Sequence, residues 1–417
     1  MNILQDKPFV LISRLVFIYL IAVVSVSAQA PQSDIQYHSL MSMDSIRFHE
    51  ANKTLRPSRV MWNYTYLGEY AKSDSLSPRV YPDRFDTTLC EDVLMVQAST
   101  PVSAYEVIDS LSKQVDIILI NENHNYVFHR VFINNLLDEL SSNGYSLIGL
   151  EALSRDVNFS IETSPGFNLR DSLLNSRAYP LYAGHTGTYT KEPQMGNLVR
   201  RGRDLNFEFF GYEKLRGDRE LNQAKNIAHF RRKFPDRKML IVCGFMHLAE
   251  DSIPGINVKL MGHYLNEELD EEILTIEQTR LSFHPKGNSK LYDLVSPQQS
   301  IVLEMENGEY FNSLVEEEKT AYDLSVFHPR FALEYNRPKW LGEREGVKCV
   351  DIDQQISIKA PFVMCAHYVG ESHSTPVDVV HIDSHKKMKP LYLLPGEYSI
   401  KCLNDFHEEQ VLFVKVD

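Results

Sequence analysis

The sequence predicts an α/β protein, a mostly parallel sheet covered by helices and followed by a small C-terminal all-β sandwich. Two observations carry this. From residue 101 to about 280, short apolar runs alternate with stretches of helical period, the pattern of successive βαβ units. From about Val347 the helical period disappears, and short stretches take over: ISIKA, FVMCAHYV, VDVVHID, PLYLL, YSIKC and VLFVKVD.

Residues 1–28 read as a secretory signal peptide. Lys7 and Arg14 give a positive start, Leu15 to Val24 is an apolar run, and Val26-Ser27-Ala28 offers a cleavage site. Ala28-Gln29-Ala30 is the alternative, disfavoured because Pro31 follows it. The run is shorter than the ~20 residues a spanning helix needs. Cleavage is therefore expected rather than a retained anchor, and no later stretch reads as a membrane span. The expected address is secreted or periplasmic. Residues 29–100 are expected to form an N-terminal lead-in packing on the core. No period is sustained there, and Pro57, Pro78 and Pro82 among scattered Ser and Asp suggest loose structure.

The α/β domain is expected over 101–330. Residues 101–113 (PVSAYEVIDSLSK) read as a helix with Pro101 near its first turn. Val115 to Ile120 is a nearly continuous apolar run, typical of a buried parallel strand. A helix from about Asn125 to Ser142 follows, stopped by Asn143-Gly144, and then a strand from Ser146 to Leu150. After a long polar excursion come a helix near 194–205, a strand at 207–212, a helix from Asp218 to Phe234, and a strand from Lys238 to Val242. Pro329, Pro338 and the charged stretch at Glu343-Arg344-Glu345 read as a linker to a β-sandwich over 346–417.

Composition narrows the function. With 43% apolar and 11% aromatic residues the chain can bury substantial cores, and 417 residues suggest about two or three domains. A net charge of −13 argues against nucleic acid, which needs a basic footprint, and against docking on an anionic membrane. Removing the signal, with Lys7 and Arg14 against Asp6, makes the chain slightly more acidic. The five cysteines have no CxxC spacing and imply neither a disulfide framework nor a structural zinc site. Among Cys349, Cys365 and Cys402, one bridge is open in an oxidising compartment.

In an open α/β sheet, ligands bind beyond the carboxyl ends of the strands. Here the first strand exits into Asn121-Glu122-Asn123-His124, the second at Glu151, the third at Tyr212-Glu213, and the fourth at Gly244-Phe245-Met246-His247. Right-handed connections bring these ends to one rim. Taken singly, a strand-end glutamate is usually a cap or a surface acid, and a histidine after a strand is usually satisfied locally. The coincidence across separate strands points to a site. Two histidines and one or two carboxylates can hold a divalent metal, or act as acid and base around a polarised carbonyl. His129 lies five residues from His124, about 140° round a helix, so His124 is read as a loop residue at the strand end. Arg130 is read as reaching the rim, to bind an anionic group or hold a carboxylate, or as an outward ion pair.

Other clusters are weaker. His185, Tyr189 and Glu192 sit in a Gly/Thr/Tyr-rich insertion, where a substrate-covering loop or an ordinary packed loop would lie. Tyr212 would orient a substrate oxygen or pack. Arg219 and Glu220 read as a helix-surface pair or, as the lesser alternative, as lining the cleft. His367, His373, His381 and His385 read as solvated histidines of the β tail. No phosphate loop, dinucleotide fingerprint or Gly-x-Ser-x-Gly elbow appears in the core.

The stretch from Asn121 to Arg130, continued by LLDEL and closed by Gly149-Leu150-Glu151, resembles the first motif of the erythromycin esterase-like/Tiki/ChaN-like superfamily. Gly244-Phe245-Met246-His247 is similar to its second, Gly-x-x-His motif. Residues 176–213 and Arg219-Glu220-x-x-Gln223-Ala224-x-Asn226 resemble the erythromycin-esterase branch. Asn121 stands where the family usually has Gly. Asn tolerates left-handed backbone angles, so the turn is expected to survive.

The resemblance implies Glu122, His124, Glu151 and His247 as central residues. In an esterase His124 would be the base, oriented by Glu122 or Glu151; in a metal-dependent protease His124, Glu151 and His247 would be ligands. Arg130, His185, Tyr189 and Tyr212 are the candidates for binding substrate. The first expectation is an exported hydrolase cleaving an ester or amide bond of a small molecule or peptide, with or without a divalent metal. The alternative is a haem- or metal-binding uptake protein on the same fold without catalysis. A third is a catalytically silent surface protein attached through its β tail.

Overall fold

A computed structural model describes residues 40–417 apart from 81–89, 156–166, 183–184, 216, 252–257, 283–289, 313–314, 317–318 and 353–354. The expected signal peptide, 1–28, lies outside the described residues, as does Pro82. Among the described residues no helix is long and apolar enough to cross a membrane.

The core is a six-stranded parallel sheet built from β1 (Ile117–Glu122), β2 (Tyr145–Leu150), β3 (Glu208–Phe210), β4 (Lys238–Gly244), β5 (Ile273–Glu277) and β6 (Leu324–Ser325). Its order is β6-β5-β1-β4-β2-β3. β1 and β4 are central, and the apolar runs seen in the sequence are buried on both faces. Side chains alternate between two cores as the pleat requires. Ile118, Ile120, Ile148, Leu150, Leu240 and Val242 face one; Ile117, Leu119, Leu147, Met239 and Ile241 face the other.

Eight helices frame this account: α1 (Met43–Asn52), α2 (Pro57–Tyr66), α3 (Tyr70–Ser75), α4 (Ala104–Ser112), α5 (Phe128–Ser142), α6 (Pro193–Asp204), α7 (Arg219–Lys233) and α8 (Met261–Glu268). Leu136, Leu137 and Leu140 of α5 and Leu198 and Val199 of α6 cover the first face. Ala224, Ile227 and Phe230 of α7 and Met261 and Leu265 of α8 cover the second.

One helix start differs from expectation. Residues 100–103 form a short strand paired antiparallel with Ile301–Glu304, and α4 begins only after Ser103, whose hydroxyl caps Glu106 N. Pro101 is thus tolerated in a two-stranded ribbon with a free edge rather than used as a first-turn residue. The lead-in is also more regular than its prolines suggested. Pro57 sits in the first turn of α2, where its missing N–H costs nothing, and Pro78 lies within the short helix Ser77–Val80. Gly68, after α2, has φ +71°, and a Cβ there would stand 2.0 Å from the carbonyl oxygen of Val379. The lead-in therefore packs backbone to backbone on the β tail.

The tail consists of antiparallel strands. β8 (Phe362–Tyr368), β9 (Asp378–Ile382), β11 (Gly396–Asn404) and β12 (Glu409–Val416) form one sheet in the order β9-β8-β11-β12. β7 (Lys348–Val350) pairs with β10 (Leu391–Leu393), and Leu391 and Leu393 pack on Met364, Ile400 and Cys402. The stretch ISIKA forms no strand. The linker region is anchored, since fully buried Arg337 donates to both carboxylate oxygens of Asp378 at 2.7 and 2.6 Å.

Cys243, Cys349, Cys365 and Cys402 form no disulfide. Cys402 faces the tail core with Met364, its partner in register, while Cys365 faces Tyr182 and Val379 on the opposite side of the sheet. The pleat points these two apart, so no bridge joins them. Alkylation without reductant should modify both after unfolding, read by peptide mass spectrometry; a Cys365–Cys402 linked peptide would contradict this.

Candidate functional site

Glu122 ends β1 and is buried, where a carboxylate needs partners for both oxygens. Oε2 accepts from Arg130 Nε at 2.6 Å. Oε1 accepts from Arg130 Nη2 at 3.1 Å and faces His124 Nδ1 at 2.8 Å. Burial alone would raise the Glu122 pKa, but the Arg130 charge and the His124 hydrogen bond outweigh it and lower it to about 2. Arg130, on the first turn of α5, is fully buried. Its Nη1 donates to Glu192 at 3.0 Å and its Nη2 to the His124 carbonyl at 2.9 Å. Burial opposes the guanidinium charge, and the two carboxylates more than restore it, so its pKa rises.

Glu192 has two further tasks. It caps α6 by accepting from Gln194 N and Met195 N, both at 2.9 Å, and it accepts from Tyr70 of α3 at 3.0 Å. The lead-in is thereby tied to the site's foundation.

His124 lies in the turn after β1, with its side chain mostly buried. Its ring stacks on Tyr189 at a centroid distance of 4.2 Å and meets Phe245 edge-on at 5.0 Å. Trp62 of α2 stacks on Tyr189 at 4.8 Å and 8° and also lies 6.4 Å from the His124 ring. The Nδ1 contact with Glu122 assigns the Nδ1–H tautomer and leaves Nε2 as an acceptor. A Cβ placed on Gly244 would lie 2.6 Å from His124 Nε2 and 3.0 Å from Glu151 Oε2. Both atoms therefore lie against the same side of Gly244. Glycine at this position leaves room for the imidazole edge.

The other half of the rim is held by Arg219, the first residue of α7. Its Nη2 donates to Glu151 Oε1 at 2.6 Å and also to Glu213; its Nη1 contacts His247 Nε2 at 2.6 Å. His247 Nδ1 faces Glu220 Oε2 at 2.8 Å, and Glu220 also accepts from Met261 N at 3.0 Å. These bonds assign His247 as an Nδ1–H imidazole whose Nε2 accepts from Arg219. Burial works against the Arg219 charge, and Glu213 and Glu151 overcome it, raising its pKa. Its side chain is 30% exposed, more open than any of its partners. Glu151 Oε2 also accepts from Gly244 N at 2.5 Å.

Glu122, His124, Glu151 and His247 thus meet at the carboxyl ends of β1, β2 and β4, with Tyr189 against His124. Other expected site residues are placed elsewhere. Arg130 is enclosed and holds carboxylates; it does not face a ligand. Tyr212 is buried in the second core and donates to the Val242 carbonyl at 2.8 Å. His185 is exposed, and none of the described hydrogen bonds or ring contacts of the site includes it. His129 turns inward, accepting from Asn123 N at 2.9 Å and meeting Ser282 Oγ at 2.8 Å.

Asn121 is not left-handed. It continues β1 and spends its side chain on the Phe245 carbonyl at 2.6 Å, on Glu277 at 3.2 Å and on Gln278 N at 2.9 Å. The left-handed turn is made instead by Phe245, with φ 51°. The tail histidines are not solvated as a group. His367 and His381 are buried, and burial lowers their pKa values to about 3 and about 4.

The donor set does not fit a metal ion. The Arg219 guanidinium stands between Glu151 and His247 and occupies the lone pairs that a cation would need. Among the described residues no group of three His, Cys, Asp or Glu side chains is arranged to hold a metal. Haem fits no better. His247 Nε2 is engaged by Arg219, and His124 Nε2 lies close against Gly244 rather than facing a flat apolar slot.

Four participants had little or no sequence signal. Trp62 belongs to no motif. Arg219 and Glu220 look like any charged pair opening a helix. Glu192 looked like a loop acid, although Pro193 after it marks a helix start that needs a cap.

No protein-family model matches this chain, and no curated protein matches it. Solved structures do show likeness. The RRSP effector domain of a MARTX toxin from Vibrio vulnificus CMCP6 is 14% identical over 61% of this chain, with a TM-score of 0.28. The present chain spans about half of that chain's length, 48%. ChaN of Campylobacter jejuni, whose structure is described for cofacial haem binding, is 12% identical over 57% of this chain and 96% of its own, with a TM-score of 0.33. The type III effector HopBA1 is 10% identical over 55% and 96%, with a TM-score of 0.32. Likeness of this depth does not separate a toxin effector from a haem-binding protein, and the functional reading rests on the site's own residues.

Proposed function

We propose that this chain is an exported hydrolase that cleaves an ester or amide bond with its own side chains and no resident metal. The observation that carries this is the His124 imidazole. One nitrogen is anchored on an ionised, buried carboxylate, and the other is an acceptor at the rim, where the Glu151 carboxylate lies against the same glycine. That is the arrangement of a general base. Export rests on the N-terminal segment from Lys7 to Ala28.

In this reading His124 Nε2 takes a proton from the water as its oxygen attacks the carbonyl carbon. Glu122 stabilises the imidazolium that forms, and Glu151 orients the water. The exposed edge of Arg219, backed by His247 and Glu220, faces the oxygen on which negative charge develops. When the tetrahedral intermediate collapses, the C–O or C–N bond breaks and the imidazolium returns the proton to the leaving group.

The test is acid release from a panel of aryl esters and peptide amides. Wild-type protein should hydrolyse at least one of them, and dialysis against EDTA should leave the rate unchanged. His124→Ala should lose about 10²–10⁴-fold with an unaltered circular dichroism spectrum. Activity abolished by EDTA and restored by zinc would refute the metal-free reading.

A further inference from the structure

The exit of β1 is held by a set of side chains that the proposed chemistry does not use. The parallel ladder between β1 and β5 ends at Ile120 and Ile276. One step further on, two side-chain amides take it over. Asn121 Oδ1 accepts from Gln278 N at 2.9 Å, and Gln278 Nε2 donates to the Asn121 carbonyl at 2.7 Å. Phe245 N donates to the Glu122 carbonyl at 3.0 Å, and Asn123 N donates to His129 Nδ1 at 2.9 Å. Glu122 thus has its own carbonyl and a backbone group of each neighbour engaged.

Behind these bonds lies a chain in which each proton has one place. The Asn121 carbonyl only accepts, so the Gln278 end facing it is the NH₂ group and the other end is Oε1. Oε1 accepts from His328 Nε2 at 2.8 Å. That makes His328 an Nε2–H imidazole, whose Nδ1 accepts from the Ser300 hydroxyl at 2.9 Å. His129 accepts a backbone N–H at Nδ1, so its Nε2 donates to Ser282 Oγ at 2.8 Å, and Ser282 donates on to the Gln278 carbonyl at 2.8 Å. Every residue of this chain is buried. Burial also keeps His328 neutral, with its pKa lowered to about 3.

Apolar side chains would fill the same space without the cost of desolvating so many polar groups. A polar network satisfied at every member is stiff, and loss of one member leaves its neighbours unpaired. Its stiffness is applied to the backbone from Asn121 to Asn123, which sets the directions in which Glu122 and His124 leave the strand.

We propose that Gln278, fixed by His328 and Ser300, is the positioning residue of the Glu122–His124 pair, setting the end of β1 so that His124 Nδ1 meets the Glu122 carboxylate. The kinetic consequence rests on the hydrolase reading above; the geometric one does not.

The experiment uses Gln278→Met, which removes both ends of the amide with little change in volume. The readouts are the His124 Nδ1–H resonance in nitrogen-edited NMR spectra of the full chain, and kcat and KM on a hydrolysed aryl ester. The resonance should shift or broaden, and kcat should fall about tenfold or more, toward the ~10²-fold cost of a 1 Å misplacement, with KM little changed. Ser300→Ala touches neither β1 nor the rim and should keep the wild-type circular dichroism spectrum. It should move the same resonance, because His328 is then released to its other tautomer, and it decides the matter if Gln278→Met does not fold. A His124 resonance unmoved in the folded variants, or a rise in KM at unchanged kcat, would overturn the proposal. If the wild type hydrolyses nothing, the hydrolase reading falls and the resonance alone decides.

Discussion

Replacing Arg130 with methionine is expected to cost about 3–5 kcal/mol of unfolding free energy at neutral pH. The guanidinium is fully buried and neutralises two carboxylates, Glu122 and Glu192, which are themselves buried. Methionine fills much of the space and supplies no charge, so both anions are left uncompensated. Their other partners, His124 for one and Tyr70 with the start of α6 for the other, do not replace a cation. The sign of the pH dependence follows. In the wild type the Glu122 pKa is lowered to about 2, so its contribution is present above the unfolded value of about 4.3 and lost only as pH falls through about 2. In the variant, burial dominates and favours the protonated carboxyl, so the deficit should be largest at neutral pH and shrink on acidification. Urea unfolding at pH 7 and pH 5 measures both. A deficit below about 1 kcal/mol, the range of an exposed pair, or one independent of pH would show that Arg130 does not carry this charge balance.

Gly244→Ala is expected to lower hydrolysis by about 10²-fold or more, the cost of misplacing a catalytic group by about 1 Å. Gly244 has no left-handed φ, so alanine fits the backbone and the effect isolates the methyl group. That methyl would stand 2.5 Å from His124 Cε1 and 2.6 Å from Nε2. The ring has little room to yield, being bound to Glu122 and flanked by Tyr189 and Phe245. Overpacking of one methyl costs about 1–3 kcal/mol when a core must absorb it, and less here because the imidazole is partly exposed. Rate and stability should therefore separate: a large kinetic loss with a small shift in the urea midpoint. The His124 Cε1–H resonance should move as well. Full activity in Gly244→Ala would mean that the imidazole edge beside Gly244 is not where the water is activated.

Particular elements show what could be read in advance. β1 and β4 were legible because a strand buried on both faces is a continuous apolar run. The acids and histidines at their ends stood out because nothing apolar-facing needs them there. Pro101 and Pro57 misled in opposite directions. A proline reports only its own φ and missing N–H, and both a ribbon strand and a helix first turn satisfy those terms. His367 and His381 were read as solvated because histidine is mostly a surface residue in a β tail. The structure buries them where the tail meets the rest of the chain, a surface that no local pattern marks. Arg130 was readable as a rim residue only in azimuth; whether a helix face meets solvent or carboxylates depends on what packs on it.

The sequence by itself determined the alternation of strands and helices, the all-β character of the tail, and the set of strand ends that carry Glu122, His124, Glu151 and His247. These follow from local periodicity and from the rule that parallel strands deliver their carboxyl ends to one edge. Only the tertiary structure decided which cation serves which acid. Arg130 is placed between Glu122 and Glu192, Arg219 between Glu151 and His247, and Trp62 against Tyr189 and His124. The physical reason is that ion pairing and aromatic stacking act across space between residues far apart in the chain. Each partner, taken alone, looks like an ordinary surface residue.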